Sequence, residues 1–325
     1  MTTAEILQRF RSLRALVLGD ICLDRWCTYD PAAAEPSRET GIPRIAVTST
    51  HVTAGAGGTV ASNLAALGCG SVSVLGAIGE DGFAYELKQA LRHAGVESSL
   101  LVEVPGSLTF TYTKLLNART GEEDLPRVDF INSRPMPPRA DQAVLTHLTD
   151  AIGNADVILV SDQAETEQGG VITAAVRDRL ASLAQSFPAK VFWVDSRLRA
   201  EKFRHVIVKP NEREAAEASQ RLLGRIDFAA LRSAIGPHPL VVTHGSSGAE
   251  VWDCSGSRFI PTTPVANPVD ICGAGDSFSA GAALALAATG SIDDAVRMGN
   301  HVASITIMKK GTGTASQEEV LGAAI

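Results

Sequence analysis

The sequence predicts an α/β fold: a doubly wound, mostly parallel sheet with helices on both faces and a small β-sheet lid. Short apolar runs alternate with segments of helical periodicity along most of the 325 residues. These runs are apolar nearly throughout, as expected for strands buried on both faces of a parallel sheet. Two stretches, at approximately 21–52 and 105–132, break this rhythm with polar and alternating patterns. We therefore expect residues 1–325 to form one domain into which the lid is inserted in two pieces.

The elements of the main domain follow from the apolar runs in chain order. Each run is four or five residues long, a usual strand length, and the segments between them have helical periodicity. The predicted strands are Ala15–Leu18, Ser71–Leu75, Val157–Ser161, Val191–Asp195, His205–Lys209 and Leu240–Thr243. The predicted helices are Thr59–Leu67, Phe83–Ala94, Val171–Phe187, Asn211–Ser219 and Ser277–Thr289.

The lid is predicted from strands that have one polar face. Residues 44–49 alternate between apolar and polar side chains, and Thr109–Leu116 and Arg127–Phe130 flank the polar turn Arg119–Asp124. Long insertions in compact domains are commonly lids or binding elements, so this sheet could close over a ligand. A surface hairpin without function is the alternative.

Composition and charge exclude some function classes. The chain is 45% hydrophobic and 20% charged, as ordinary soluble globular proteins are, and its formal net charge is −7. This acidic balance gives no basic surface for nucleic acid. There is no apolar run long enough to span a membrane and no secretory leader, so the sequence predicts a cytoplasmic protein without a membrane partner.

The five cysteines predict reduced thiols. Their number is odd and they include no Cys-x-x-Cys pair, which argues against a disulfide framework or a zinc site. Cys272 lies near a predicted helix start, where a thiol pKa could fall, but we interpret it as a small buried residue.

The segment Asp270–Asp276, followed by a helix of small residues, predicts a phosphate site. The first amides of a helix lack partners within it and the helix dipole is positive there, so such a start attracts anions. The amides of Ala274 and Gly275 could meet a transferred phosphoryl group while Asp276 accepts a proton from an alcohol. The alternative is that Asp276 only caps the helix.

Two further glycine-rich segments and an acidic pair could bind a nucleotide. The segments Ala54–Thr59 and Thr243–Gly248 would let a ligand approach the backbone closely, although neither is a dinucleotide fingerprint or a P-loop. Asn211 and Glu214 are three residues apart at a helix start, and their oxygens suit a hydrated Mg²⁺ held largely by phosphates. The same pair is a capping box, and both roles can hold.

Two aspartates near the first strand predict a sugar site. Asp20 ends that strand and Asp24 lies just beyond it. Carboxylates at the carboxyl edge of a parallel sheet face the crevice in which ligands bind, and they accept hydrogen bonds from hydroxyls. For Asp24, a surface ion pair with Arg25 is the alternative.

Six motifs in register, between about Arg14 and Thr314, resemble those of the ribokinase family, the PfkB-type carbohydrate kinases. They are Gly19–Asp20, the Gly55–Gly57 turn, Gly76–Gly82, Asn211–Glu214, Thr243–Gly248 and Asp270–Asp276. The resemblance implies a ribokinase-like fold with a sugar between lid and sheet and ATP in a groove near the C-terminal half. It also implies Mg²⁺, K⁺ as a candidate monovalent cation near Asp270, and, in many members, a homodimer formed through the lid.

The resemblance also assigns roles to individual residues. Asp276 is the expected base, and Gly273, Ala274 and Gly275 form the expected anion hole. The expected substrate-binding residues are Asp20, Asp24, Gly55, Gly57, Thr59, Lys114 and Arg127. The expected nucleotide-binding residues are Asn211, Glu214, Thr243, Gly245, Gly248 and Asn300, of which Glu214 is expected near Mg²⁺, through water.

Within the family, four segments are most similar to the branch of heptose 7-phosphate kinases, which phosphorylate the anomeric hydroxyl. They are Leu23–Trp26, Thr113–Lys114, Arg127–Phe130 and Asp195–Arg197. Lys114, Arg127 and Arg197 could bind a substrate phosphate, or could form ordinary surface salt bridges. Glu165 stands where that branch has a lysine, Thr59 where many members have a sugar-binding Asn, and Ala56 where they have a glycine.

The function predicted is therefore an ATP-dependent phosphotransferase that acts on a hydroxyl of a sugar or sugar phosphate, with heptose 7-phosphate as one candidate. A nucleoside kinase would share the same catalytic parts. A sugar-binding regulatory protein that keeps the fold without phosphoryl transfer is the alternative from another class, and the altered residues on the sugar side motivate it.

Overall fold

A computed structural model of the chain describes residues 1–166 and 169–323. In that part of the chain the strands are β1 (Arg14–Gly19), β2 (Ile21–Tyr29), β3 (Val47–Ala56), β4 (Ser71–Leu75), β5 (Ala77–Gly79), β6 (Val102–Val104), β7 (Thr111–Asn117), β8 (Val128–Phe130), β9 (Val157–Asp162), β10 (Val191–Ser196), β11 (Ile207–Val208), β12 (Leu240–Thr243), β13 (Gly248–Asp253) and β14 (Gly256–Pro261). The α-helices are α1 (Thr3–Phe10), α2 (Gly57–Ala66), α3 (Gly82–His93), α4 (Pro138–Ala151), α5 (Ala174–Ser186), α6 (Glu212–Leu223), α7 (Phe228–Ile235), α8 (Ala274–Thr289), α9 (Ile292–Thr306) and α10 (Gln317–Gly322).

The main sheet has the order β14-β13-β12-β11-β10-β9-β1-β4. From β4 to β12 neighbouring strands are parallel, whereas β13 and β14 form an antiparallel extension at one edge. Because the carboxyl ends of parallel strands meet at the same edge, the residues that follow β1, β9, β10, β11 and β12 lie along one crevice.

Helices cover both faces of this sheet. In β1, Ala15 and Val17 pack into a core with α2, α8 and α9, while Leu16 and Leu18 pack into a second core with α4 and α5. The alternation follows from the two-residue period of a strand. The predicted α/β fold with a mostly parallel, doubly covered sheet is confirmed.

The smaller sheet, which we call the lid sheet, has the order β3-β2-β7-β8. The strand β2 pairs antiparallel with β3 and parallel with β7. One face of β2 packs on α3: Leu23 is fully buried there, and Arg25 forms a 3.0 Å salt bridge with Glu86 of α3. The alternate residues Asp24 and Trp26 therefore point away from α3, on the face of the lid sheet that we call its ligand face.

Several predicted boundaries were wrong. The helix predicted from Val171 begins at Ala174, because Val171 and Ile172 are buried in the preceding loop and Thr173 caps the helix. The strand predicted over His205–Lys209 is reduced to Ile207–Val208. In the lid segment 21–52 a strand was predicted only at residues 44–49, whereas the segment contains β2 and part of β3, and β3 begins at Val47.

The end of β1 generates a stability prediction. Gly19 has a φ of +143°, and a Cβ there would lie 2.0 Å from the carbonyl oxygen of Ser161 on the neighbouring strand. We expect Gly19→Ala to lower the free energy of unfolding by about 2 kcal/mol or more, because both the backbone and the contact resist a side chain. Urea denaturation measures the change.

Gly82→Ala is the matched control. Gly82 begins α3, and a Cβ at this position would meet no atom within 4 Å. We expect this variant to be as stable as the wild type or slightly more stable. Equal stability of the two alanine variants would contradict the packing described at Gly19.

Candidate active site

The first turn of α8 forms one wall of the crevice. Gly273, the N-cap, has a φ of +79°, and a Cβ there would lie 3.3 Å from the methyl carbon of Thr59 in α2. The Ala274 N–H, expected as an anion donor, donates instead to the carbonyl of Ile271 at 3.2 Å in this conformation. The amides of Gly275 and Asp276 follow it, and the first amides of a helix have no acceptor within it.

Asp276 is the third residue of α8, and no side-chain hydrogen bond caps this helix. Asp276 is half-buried, so it is not a simple surface cap. Desolvation raises the pKa of Asp276 to about 8; the neighbouring Asp195 adds to the rise and Lys209 opposes it. A carboxyl group whose pKa is near the working pH is suited to exchange a proton with a substrate.

A buried ion pair lies directly beneath this turn. The Lys209 ammonium is 2.7 Å from Asp195 Oδ2, and both residues are buried. A Cβ at Gly275 would lie 3.4 Å from Lys209 Nζ and 3.9 Å from Asp195 Oδ2. Burial alone would lower the pKa of Lys209, but Asp195, Glu214 and Asp276 together raise it above its ordinary value, so the ammonium stays charged.

Asp20 anchors a loop in this structure. Its carboxylate accepts hydrogen bonds from the backbone N–H groups of Gln163 and Ala164, both at 2.8 Å, and of Val171 at 2.9 Å. Burial, followed by the charge of Asp162, still raises the pKa of Asp20 to about 6. The predicted contact of Asp20 with a substrate hydroxyl remains a prediction, since three of its acceptor positions are already used.

Asp24 is placed differently, on the ligand face of the lid sheet. Its carboxylate atoms lie only 2.6 Å from where a Cβ of Gly55 would be, so a side chain at residue 55 would clash with Asp24. Desolvation raises the pKa of Asp24 to about 6, while Lys114 and Arg127 lower it. Among the described residues, no hydrogen-bond donor reaches this carboxylate, so it is free to accept from a ligand.

Three cations that could serve a substrate phosphate each lie near a carboxylate. Arg127 makes two hydrogen bonds of 2.7 Å to Asp129 and stacks 4.9 Å above the ring of Tyr112. Arg197 forms an ion pair with Glu165. Lys114 of β7 pairs in register with Trp26 of β2, and its ammonium is 3.9 Å from the Glu123 carboxylate.

Thr59 and Gly57 support the site from below. Thr59 is 1% exposed, and its hydroxyl donates to the carbonyl of Ala54 at 3.2 Å, so it packs beneath Gly273 instead of facing the crevice. Gly57 donates its N–H to the carbonyl of Asp20 at 3.0 Å.

Asn211 and Glu214 form the predicted capping box of α6. The Glu214 carboxylate accepts from the Asn211 N–H at 2.8 Å through Oε2, and Asn211 Oδ1 accepts from the Glu214 N–H at 2.9 Å. Glu214 Oε1 has no partner among the described residues. In residues 1–166 and 169–323 there is no cluster of three His, Cys, Asp or Glu side chains that could hold a metal ion. This donor set fits Mg²⁺ only as an ion held mainly by phosphates and water.

Asp270 joins two loops at the start of α8. Its Oδ1 accepts from the Cys272 N–H at 2.9 Å and its Oδ2 from the Gly311 N–H at 3.1 Å. Its role near a monovalent cation remains a prediction.

Cys272 is exposed, so its interpretation as a buried residue was wrong: the loop holds it at the crevice. Desolvation nevertheless raises its pKa, the opposite of activation.

The nucleotide candidates lie along the other half of the crevice. Thr243 ends β12 and pairs with Asn211 through an isolated bridge. Gly245 has open space around its Cβ position, whereas a Cβ at Gly248 would lie 2.3 Å from the Ile260 carbonyl oxygen, so Gly248 is required by the hairpin. Asn300 of α9 lines a cavity of ≈ 410 Å³ together with residues of β14, and its Nδ2 is 3.5 Å from the Ile260 carbonyl oxygen.

Sequence reasoning missed two features of the site. Lys209 was predicted only as the last residue of a strand, although a lysine that ends an apolar strand signals a buried charge that needs a partner. The second is a network in which Asp162 accepts from Arg199 at 2.8 Å and from Ser196 at 2.6 Å and, with Asp20, holds the loop after β9. No local pattern marks such long-range pairs.

Comparison with known proteins identifies relatives of the whole chain. A family model described as "pfkB family carbohydrate kinase" matches residues 16–319. The bifunctional protein HldE of Trichlorobacter lovleyi is 29% identical over 327 residues, which cover 98% of this chain and 64% of that protein. HldE of Caulobacter vibrioides is 31% identical over 331 residues, covering 99% and 65% respectively. The chain thus spans less than two thirds of the length of these relatives.

Solved structures share the fold. Ribokinase from Thermotoga maritima superposes with a TM-score of 0.70 at 19% identity, covering 95% of this chain and 98% of the other. Phosphofructokinase-2 from Escherichia coli, in complex with potassium, has a TM-score of 0.71 at 20% identity, covering 95% and 97%. Ribokinase from Arabidopsis thaliana, complexed with ribose and ATP, has a TM-score of 0.67 at 20% identity, with the same coverage.

Within the described ranges, none of the helices has the length and apolar character needed to cross a membrane.

The raised pKa of Asp276 predicts how stability depends on pH. Its folded value of about 8 lies above the ordinary 3.8, so this group favours folding below pH ~4, and that contribution is lost as the pH rises through 8. We expect the free energy of unfolding of Asp276→Asn to exceed that of the wild type by several kcal/mol at pH 8.5, since about 1.4 kcal/mol is linked to each pKa unit, and to be nearly equal to it at pH ~4. Denaturant titrations at both pH values measure the difference.

Asp227→Asn is the control of opposite sign. Asp227 caps α7, and its bond from the Ala230 N–H and its pairing with Arg225 hold the pKa below the ordinary value. The same substitution there should lower stability at pH 8.5. If both variants changed stability in the same direction, desolvation of Asp276 would not be the cause.

Proposed function

The chain belongs to the pfkB family of carbohydrate kinases, and from that premise we propose that Asp276 is the base that activates a sugar hydroxyl for phosphoryl transfer from ATP. The observation that carries the proposal is the position of Asp276: a desolvated carboxyl group at the start of α8, in the crevice that the lid sheet borders. Kinase activity toward a sugar or sugar phosphate follows from the family. The roles of the individual residues are our assignment.

In the proposed reaction Asp276 accepts the proton of the attacking hydroxyl. The hydroxyl oxygen forms the new bond to the γ-phosphorus, the bond from that phosphorus to the β-γ bridging oxygen breaks, and ADP leaves with the bond electrons. The amides at the start of α8 and the Lys209 ammonium beneath them face the charge on the transferred group. On the lid, Asp24 accepts a hydrogen bond from another hydroxyl and so orients the ring.

On the nucleotide side, we assign ATP to the half of the crevice that runs from Asn211 and Thr243 to the cavity beside Asn300. Bound Mg²⁺ would neutralise phosphate charge there, with Glu214 holding one of its waters. The family often uses a monovalent cation near the aspartate that corresponds to Asp270, so we assign K⁺ there.

We also propose that an uncharged sugar is a better acceptor than a sugar phosphate. Arg127 is already paired bidentately with Asp129, and Arg197 is paired with Glu165. A substrate phosphate would have to displace a carboxylate from one of these arginines, and Glu165 would repel it. On the lid sheet the carboxylate of Asp24 accepts no hydrogen bond from the described residues, and this acceptor calls for hydroxyl donors.

The lid sheet supports the further proposal of a homodimer. Large apolar side chains are exposed in and around it, including Ile42, Ile45, Val47 and Val128. Contact between two lid sheets would cover them.

The catalytic assignment predicts the effect of removing the base. We expect Asp276→Asn to lower kcat by on the order of 10²-fold or more, because the amide cannot accept the proton, while ADP binding persists. Sugar-dependent ADP release and ADP titration calorimetry measure the two properties. Asp227→Asn, the same change at a distant helix cap, should retain wild-type kcat; near-wild-type turnover of Asp276→Asn would refute the assignment.

The substrate assignment predicts the effect of reversing the charge at Glu165. In the wild type, kcat/KM should be higher for free sugars than for their phosphates, and Glu165→Lys should raise the ratio of phosphate to free sugar by about tenfold or more. ADP release is measured for ribose, fructose, mannose and their phosphates, with heptose 7-phosphate included. A wild type that prefers a sugar phosphate would contradict the proposal, and binding of sugars without any ADP release would favour a regulatory protein.

A further inference from the structure

We propose that the buried pair Lys209–Asp195 is a positioning device for the base: it sets the charge state of Asp276 and supplies a fixed positive charge beneath the anion hole. The inference rests on the proposed role of Asp276 as the base. It adds two residues of the chain that act on the reaction without touching the substrate.

The fold brings the pair together through strand register. Trp193 and Val194 of β10 pair with Ile207 and Val208 of β11, so Asp195 and Lys209 occupy the next position of the same parallel ladder. The Lys209 N–H donates to the Val194 carbonyl at 2.8 Å, which continues that ladder. Residues that pair across adjacent strands point to the same face of the sheet, so the side chains of Asp195 and Lys209 share a face. This face lies against the first turn of α8.

The contact with α8 is made possible by a missing side chain. Gly275 presents only a hydrogen toward the pair, and the ideal Cβ position is 3.4 Å from Lys209 Nζ. The Lys209 ammonium therefore lies close to the backbone of Gly275, between the proposed anion hole and Asp276. Lys209 is 3% exposed, so water screens its charge weakly.

The two charges act on Asp276 in opposite directions. Asp195 raises the pKa of Asp276 and Lys209 lowers it, against a background in which desolvation is the largest effect. The other charged groups that face Asp276 are Asp24 on the lid sheet, which raises its pKa, and Arg197 after β10, which lowers it. Without Lys209, the charge of Asp195 would no longer be offset beneath the turn, and Asp276 would hold its proton to higher pH.

A purely structural role for the pair makes a different prediction. Buried ion pairs often add little stability, but removal of one partner leaves an unpaired charge and destabilises the protein. A structural defect of that kind would lower kcat equally at all pH values, and it would not shift the protonation of Asp276 in opposite directions for the two partners.

The experiment compares Lys209→Met, Lys209→Arg and Asp195→Asn. Two quantities are measured: the pH dependence of kcat, and the titration of the Asp276 carboxyl carbon by ¹³C NMR, which is assigned by its loss in Asp276→Asn. Lys209→Met should move both midpoints to higher pH by about one unit, and kcat at pH 7 should fall about tenfold. Asp195→Asn should move both to lower pH, and Lys209→Arg should restore values near those of the wild type.

Lys190→Met is the matched control. Lys190 precedes β10 at the opposite end of the strand from Asp195, and its ammonium bonds the carbonyl of Ala155. This substitution should leave both midpoints unchanged.

Shifts in the same direction for Lys209→Met and Asp195→Asn, or no shift in either, would overturn the inference. If Lys209→Met does not fold, Asp195→Asn still decides it, because only the inferred coupling moves its midpoints to lower pH. The NMR titration requires no substrate, so a wild type that releases no ADP with any sugar would refute the proposed function separately, while the midpoints would still test the coupling.

Discussion

Burial of carboxylates along one edge of the main sheet is the constraint on which the rest of the site depends. Asp20, Asp162 and Asp195 are buried at or next to the carboxyl ends of the adjacent strands β1, β9 and β10, where a charged group needs partners. Each is compensated by its own partners: three backbone N–H groups for Asp20, Arg199 and Ser196 for Asp162, and Lys209 for Asp195. These partners fix the loops that follow the strands, and so they fix the walls of the crevice.

Asp276 and Asp24 are the exceptions to this pattern. Among the described residues neither carboxylate receives a hydrogen bond, and desolvation is the first cause of the raised pKa of both. One lies on α8 and the other on the ligand face of the lid sheet. A polyhydroxylated ligand between them would supply the missing donors to both groups at once. In the proposed function the substrate completes the site, because its hydroxyl groups would offset the desolvation of these two acceptors.

The sequence predicted the parts of this arrangement that local chemistry determines. The apolar strands that end in charged residues, the Asn211 capping box and the glycine turn before Asp276 all have local signatures. The strand β2 was missed because its alternate residues face α3 and the crevice, so it carries polar and charged side chains within its length. The pairing of Asp20 with the loop at 163–171, and of Lys209 with Asp195, depends on strand order, which neither residue reveals alone.

The choice of residues beneath α8 distinguishes a functional from a structural explanation. If the contact between β10, β11 and α8 served packing alone, apolar side chains would serve it at least as well, because the desolvation of a buried ion pair cancels most of its attraction. The pair instead stands where Gly275 removes the side chain that would otherwise separate it from the backbone of the anion hole. A fixed charge at that position is worth most when a group of opposite charge forms nearby in a region of low dielectric constant. The proposed proton transfer to Asp276 and the proposed movement of a phosphoryl group past the start of α8 are events of that kind. If the contact serves that reaction, the cost of burying Lys209 is explained by the reaction and not by the stability of the fold.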